Sequence, residues 1–392
     1  MRVLAISTSS WNSNNREFYR RLNLKGINLK LIVPESWDFG KGAKPADIIT
    51  SEDPDITFLK PSNYHHRLYY LKGMKKVVNE FRADVIYYEG DPGSIMSVFL
   101  GFIARRSHSK FIALSCENLS QRPFDVIKRE GIGQLHNSIL KYLLIRLSRS
   151  KIDHLLVINN DGLKCFKSIG FKNVTKIPLG FNESVFKLNL DARKRVRSRL
   201  NISKDTIVIS YFGRLVFEKG VHILIDALNN LKFDNWVFLI DEFSGYKNGY
   251  QNVIEEKILN SKIKNKTIFF KADHTEIAEY MNATDISVLA SIPTNKWVEQ
   301  YGRVVPEAMA CGNRVIISNI GAQNEFFPKD YFYKFNHNNL SKLQALIEKS
   351  CFDYNNGLPD RESISLYSLE NFGINKQLSV YFKILKSLKN EK

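Results

Sequence analysis

Residues 207–228 read IVISYFGRLVFEKGVHILIDAL. The stretch opens with an apolar, β-branched run from Ile207 to Phe212, the length of one strand. After Gly220, the apolar positions Val221, Leu224, Ile225 and Leu228 recur at the spacing of one helical face. A strand handed to a helix through a short loop is half of a crossover unit, and crossover units build parallel sheets. The same rhythm continues on the carboxyl side, with strand-like runs Trp236 to Ile240, Thr267 to Phe270, Ile286 to Leu289, Val315 to Ser318 and Tyr331 to Phe335, each about a helix length apart. On the amino side it occurs as an independent series: Val3 to Ile6, Leu29 to Val33, Ile56 to Leu59, Asp84 to Tyr88, Phe111 to Ser115, His154 to Ile158 and Val174 to Ile177. Two doubly wound, Rossmann-like α/β domains are therefore expected. IPLGFNESVFKLN at 177–189, with Pro178, Gly180 and Asn182 as turn residues, is the expected link. This places the domains at 1–185 and 186–373, and leaves an amphipathic helix in 374–392 free to pack back on the first.

A chain of 392 residues with 44% hydrophobic and 25% charged residues suits two cored domains. Its longest apolar stretch, Ile95 to Ala104, is half of the roughly 20 residues a spanning helix needs. The start, MRVLAIS, reads as a strand and not as a signal sequence, so a cytoplasmic location is expected. Four cysteines lie at least 40 residues apart without a CxxC, which suggests neither a disulfide framework nor a zinc site.

Doubly wound domains bind ligands beyond the carboxyl ends of their strands. Arg214 and Lys219 fall at such a junction, where a forked guanidinium and a point charge suit a diphosphate. VEQYGRVVPEAMACGNRVIISNIG at 298–321 places Glu299 in a loop and Glu307 on a helix. That helix must start near Gly302 to Val304, because Pro306 is tolerated only in a first turn, and it should stop at Gly312. Carboxylates so placed can accept the hydroxyls of a sugar or ribose. In the first domain, YYEGDPGS (Glu89, Asp91) and ALSCENLS (Glu117, Asn118) put polar groups at two strand ends, either to hold an acceptor hydroxyl or to cap the following helices. The acids of SEDPD at 51–55 lie apart from these groups and are a weak metal candidate.

The ordered combination of GR, a following EKG and then EQYGRVVPEAMACG, with two glutamates eight apart, resembles the retaining family 4 glycosyltransferases of the GT-B fold, the glycosyl transferases group 1. IPLGFNESVF is similar to that family's interdomain segment and ISVLAS to the strand before its Glu-x7-Glu loop. The resemblance implies a hexosyltransferase-type enzyme moving a sugar, with retention, from a nucleotide-sugar to a glycan or lipid-linked acceptor in bacterial-type surface polysaccharide or glycoconjugate synthesis. It implies Arg214 and Lys219 on the diphosphate, Glu299 on the sugar, Glu307 on the ribose, and Tyr301, Gly302, Arg303 and Val304 lining the donor; Glu299, Arg214 and Lys219 would carry catalysis. It places the donor on the second domain and the acceptor on the first, near Glu89, Asp91, Glu117 and Asn118. No cofactor and no metal are implied, since Arg, Lys and helix ends supply the positive charge. Three stretches depart from the pattern: STSSWNSNN at 7–15 replaces paired glycines, DEFSGYKNGY at 241–250 replaces a GxGP-like turn, and Ser115-Cys116-Glu117-Asn118 stands where a His is common.

The net charge is +17, of which +12 lies in residues 1–190, where 29 Lys and Arg face 17 Asp and Glu. Such a balance suits phosphate ligands, nucleic acid or an anionic membrane. No nucleic-acid motif accompanies it, so nucleic acid is not an expected partner. An epimerase or phosphorylase-like GT-B enzyme is the alternative within the fold. We expect the first domain to dock on an anionic membrane at the cytoplasmic face. NSILKYLLIRLSRSK at 137–151 carries Ile139, Leu140, Leu143, Leu144 and Leu147 on one stripe, with Lys141, Arg146, Arg149 and Lys151 mostly off it. The stripe suits either burial against the sheet, the usual arrangement in such a domain, or the membrane interface.

Overall fold

The two β-rich series form two separate sheets in the computed structural model, which describes residues 1–38, 42–242, 249–325, 331–357 and 360–390. Contacts divide the chain into two units: Met1–Pro178 together with the chain from Gln377 onward, and Leu179–Lys376. The first break thus falls before the expected 185/186, because Phe181 and Phe186 pack into the second unit's core, their rings 6.2 Å apart.

Unit 1 contains strands β1 (Arg2–Ser7), β2 (Asn28–Pro34), the two-residue ribbon β3 (Ser36–Trp37) and β4 (Lys44–Pro45), β5 (Asp55–Leu59), β6 (Val85–Glu89), β7 (Lys110–Ser115), β8 (His154–Val157) and β9 (Val174–Lys176). Its helices are α1 (Glu17–Leu24), α2 (Met74–Phe81), α3 (Ile95–Arg106), α4 (Pro123–Glu130), α5 (Leu135–Arg149) and α6 (Asn160–Ser168). The main sheet runs in the order β5-β2-β1-β6-β7-β8-β9, with every neighbouring pair parallel. Helices on both faces explain the continuous apolar strands: Val3 to Ile6 are fully buried.

Unit 2 contains α7 (Leu190–Arg199), β10 (Ile207–Tyr211), α8 (Val221–Leu228), β11 (Trp236–Asp241), α9 (Gly249–Leu259), β12 (Thr267–Phe270), α10 (Ile277–Ala283), β13 (Ile286–Leu289), α11 (Val304–Ala310), β14 (Arg314–Ser318), β15 (Phe332–Phe335), α12 (Leu340–Asn355) and α13 (Arg361–Phe372). Its parallel sheet has the order β12-β11-β10-β13-β14-β15. A last helix, α14 (Ile374–Asn390), starts in unit 2, and from Gln377 onward it belongs to unit 1. There Tyr381 is fully buried, its ring 5.5 Å from that of Phe18 and 5.0 Å from that of Tyr87.

The amphipathic stripe of α5 is oriented opposite to the core-facing expectation. Its buried positions are Ser138, Lys141, Leu144, Ile145 and Ser148, whereas Ile139, Leu140, Leu143 and Leu147 are exposed. The inner face is fixed by polar partners: Lys141 reaches two carboxylates and Ser148 Oγ donates to the Pro92 carbonyl at 2.8 Å. Once those groups are inside, the 3.6-residue period keeps Leu144 and Ile145 with them and puts Ile139, Leu140, Leu143 and Leu147 outside.

Unit 2 is anchored at the amino ends of its central strands by Asp285, whose carboxylate is wholly buried. It accepts the Val208 N–H (2.8 Å) and guanidinium N–H groups of Arg193 (2.6 Å), Arg197 (3.2 Å) and Arg361 (3.3 Å). Burial and the neighbouring Arg193 push Arg361 down to about 10, which leaves it charged at neutral pH. Removing the carboxylate strands three buried cations, so Asp285→Ala should destabilise unit 2 by about 3–5 kcal/mol. Amide hydrogen exchange checks this: protection should fall throughout unit 2 and hold in unit 1, and unchanged protection in unit 2 would remove the anchoring role.

Candidate functional site

The sheet order of unit 2 reverses direction between β10 and β13, which opens a crevice at their carboxyl ends. Beyond β10, Tyr211 Oη donates to the Arg214 carbonyl at 2.7 Å and fixes the turn. The Arg214 side chain is exposed and donates no hydrogen bond to a described residue. A short 3-10 turn, Phe217–Lys219, then leads to Gly220 with φ of 65°. A Cβ at Gly220 would lie 1.9 Å from the Ala290 carbonyl oxygen, so only glycine lets α8 start this close to the loop after β13. The Ile292 N–H closes the same contact onto the Glu218 carbonyl at 2.9 Å.

This close approach brings Lys219 and Glu299 together across 80 residues of sequence. Lys219 Nζ lies 2.6 Å from Glu299 Oε2, which also accepts Ser291 Oγ at 3.0 Å. The Lys219 ammonium stands 5.1 Å from the centroid of the Trp297 ring. The Glu299 side chain is only 6% exposed, so the carboxylate is held by charge and hydrogen bonds rather than by water.

Gly302, with φ of 72°, turns the chain into α11, which begins at Val304 with Pro306 as its third residue. Tyr301 is buried and Arg303 exposed. Arg303 Nε lies 3.0 Å from Glu307 Oε1. Burial pushes the Glu307 carboxyl above its ordinary range, and Arg303 opposes that shift. Half-buried His274 is pushed down by burial and then by the nearby charge of Arg303. Glu299, Tyr301, Gly302, Arg303, Val304 and Glu307 therefore occupy one continuous loop and helix. Lys219 is drawn to that loop, and Arg214 remains unengaged by it. Ser291, Trp297 and His274 were not singled out in the sequence. The position of Ser291 just past a strand was the one available signal; loops carry no periodicity that would mark Trp297.

In unit 1 the acidic strand ends are already engaged. Glu89 stands opposite Ser7 in the β1–β6 register, at that sheet's own reversal point. Its two oxygens accept the hydroxyls of Ser7 (2.7 Å), Ser9 (2.8 Å) and Tyr19 (2.8 Å). The serines that replace paired glycines in STSSWNSNN thus turn toward a carboxylate. Asp91 and Glu117 share Lys141, at 3.3 and 2.5 Å. Burial raises both carboxyls; for Asp91 the Lys141 charge and the Gly93 N–H outweigh it and leave the group lowered, whereas Glu117 stays raised. Asn118 is buried. In SEDPD, Asp53 binds Arg16 and Arg20, and Asp55 pairs with Lys30. Among the described residues no group of three or more His, Cys, Asp or Glu could hold a metal ion. Residues 243–248 of the DEFSGYKNGY turn lie outside the described residues. Among the described residues, no helix is long and apolar enough to cross a membrane.

Residues 192–351 match the family model of the glycosyl transferases group 1. By sequence, the chain is 23% identical over 257 residues to the lipopolysaccharide 1,2-N-acetylglucosaminetransferase of Salmonella typhimurium, a match covering 58% of this chain and 67% of that protein. It is 26% identical over 155 residues to the putative teichuronic acid biosynthesis glycosyltransferase TuaC of Bacillus subtilis, covering 39% of this chain and only 35% of that protein. By structure, it superposes on HepE of Anabaena, solved with UDP and glucose, with a TM-score of 0.72, 16% identity and coverage of 99% of this chain and 100% of HepE. The sucrose-phosphate synthase of Thermosynechococcus elongatus gives a TM-score of 0.75 at 16% identity, with 100% of both chains covered. The fold is that of the GT-B glycosyltransferases, the chain is a glycosyltransferase, and the part of it that matches the group 1 model, residues 192–351, lies within unit 2.

Proposed function

We propose that the chain moves a hexosyl group from a nucleoside-diphosphate sugar to a glycan or lipid-linked glycan, with retention and without a resident metal, in the synthesis of a bacterial-type surface polysaccharide. The observation that carries this reading is the Lys219–Glu299–Ser291 cluster at the reversal point of unit 2. Without donor, Lys219 is neutralised by Glu299. A diphosphate is the stronger partner, because it offers more charge and more acceptor oxygens. Lys219 then turns to phosphate, and the freed Glu299 accepts hydroxyls of the sugar while Ser291 keeps it in place. Arg214, unengaged at the mouth of the same turn, adds a second charge to the diphosphate, and Glu307 takes the ribose beside Arg303.

In the transfer, the acceptor oxygen bonds to the anomeric carbon as that carbon's bond to the diphosphate breaks. The electron pair leaves on the diphosphate, which also takes the acceptor proton. Negative charge therefore grows where Arg214 and Lys219 are placed, and cations preset at that position stabilise the transition state more than the ground state. The names of the relatives in lipopolysaccharide and teichuronic acid synthesis support the surface-polysaccharide assignment. The UDP and glucose bound in HepE make uridine diphosphate the first nucleotide to try.

Lys219→Ala removes a charge-assisted contact of about 1.5–3 kcal/mol, so calorimetry should show uridine diphosphate binding weakened by about tenfold or more. Unchanged affinity would sink the role. Glu299→Gln deletes the carboxylate that competes for Lys219. Nucleoside diphosphate affinity should hold or rise while turnover falls, whereas Glu307→Gln should weaken nucleotide binding more than turnover; equal effects from both variants would defeat this division. Full activity in the presence of a chelator and a product with the donor's anomeric configuration by NMR are expected. Loss restored by Mg²⁺ would overturn the first, and inversion the second.

A further inference from the structure

We propose that the outer face of α4 and α5 in unit 1 is a docking surface for an anionic lipid bilayer. Phe124, Ile132, Ile139, Leu140, Leu143 and Leu147 are all exposed along it, Leu143 and Leu147 by 53% and 51%. On α5, Ile139, Leu140, Leu143 and Leu147 follow one another at three- and four-residue steps across adjacent turns, forming a stripe about 12 Å long on a helix of 15 residues. Phe102 of α3 extends the surface, lying 4.3 Å below the Lys151 ammonium. Scattered exposed leucines are ordinary in soluble proteins, but a continuous row on the outer side of one helix, with Ser138, Lys141 and Ser148 taking inner positions beside Leu144 and Ile145, departs from the usual order of a water-facing helix.

The charge around the row identifies the occupant. Residues 122–151 hold seven Lys and Arg against two Asp and Glu. Of the two acids, Asp125 accepts the Ser120 hydroxyl and Glu130 pairs with Arg129. The exposed Arg122, Lys128 and Arg146 and the half-buried Lys151 form no ion pair among the described residues. A second copy docked here by two-fold symmetry would set these cations against their own equivalents. A surface of acidic phospholipid matches them, with the leucines entering the headgroup and acyl boundary and the cations at the phosphate level.

The inner face of the same helix holds Asp91 and Glu117 through Lys141. Those strand-end carboxylates therefore lie about one helix diameter, ~10 Å, from the docking surface. A sugar carried on a lipid would meet this end of unit 1 as it leaves the headgroups. That last point rests on the proposed transfer; lipid binding itself needs neither donor nor acceptor.

The test is co-sedimentation of the full chain with vesicles of phosphatidylcholine alone or with one part in three of phosphatidylglycerol, at low and high salt. Binding is expected to the anionic vesicles and to weaken with salt. The double substitution Leu143→Gln and Leu147→Gln should weaken it at least tenfold with Tm unchanged. Lys128→Gln and Arg146→Gln should each cost about fivefold at low salt and little at high salt. Absence of binding to either vesicle, or binding indifferent to the leucine pair, overturns the proposal. So does a dimer in solution that the leucine pair dissociates, since a second copy would then cover the face. Vesicle binding by a chain that fails to bind any nucleoside diphosphate would leave docking intact and refute the transfer reading.

Discussion

Asp285 is the fixed point of unit 2. One buried carboxylate binds a strand N–H and three guanidinium groups, from α7 and α13, whose Arg197 and Arg361 lie 164 residues apart along the chain but meet on one side chain. Such a group is costly to desolvate and tolerable only when well paired, so its partners tie α7 and α13 to the start of β13. It acts at the amino ends of β10 and β13. The Lys219–Glu299 pair lies at their carboxyl ends, so the anchor and the proposed donor-binding groups occupy opposite edges of the same strands.

At the carboxyl ends the design is looser. Gly220 allows the α8 turn to press on the Ala290 carbonyl, and that contact sets Lys219 against Glu299. The resulting pair differs from the anchor in that its carboxylate meets the Lys219 ammonium and the Ser291 hydroxyl, with an aromatic ring beside the ammonium, where Asp285 meets three guanidinium groups. In the proposed transfer it is this pair that exchanges partners, Lys219 turning from Glu299 to phosphate. Arg303 and Glu307 repeat this arrangement one turn of helix away.

Unit 1 shows the same economy applied to a single helix. Lys141 is nearly fully buried, with 5% of its side chain exposed, and it must face Asp91 and Glu117. That requirement orients all of α5, with Leu144 and Ile145 inside beside Lys141 and with Ile139, Leu140, Leu143 and Leu147 turned outward. A polar constraint on the inside has thereby created an apolar surface on the outside, with cations already at its margins.

The alternation of apolar runs and helical stripes made the strands of both main sheets legible to within a residue at each end, because strands buried on both faces must be continuously apolar and their crossovers must be amphipathic. Pro306 and Gly312 bounded α11 for equally local reasons, and the spacing of Glu299 and Glu307 separated loop from helix. What local pattern could not contain was pairing between distant residues. That Lys219 meets Glu299, that Glu89 is consumed by Ser7, Ser9 and Tyr19, and that Phe181 and Phe186 join the second core are consequences of which strand ends become neighbours. The orientation of α5 was undecidable for the same reason. Periodicity shows that a helix has two unlike faces, but the choice of which one is buried belonged to Lys141, through two carboxylates 26 residues apart that only the tertiary fold brings to it.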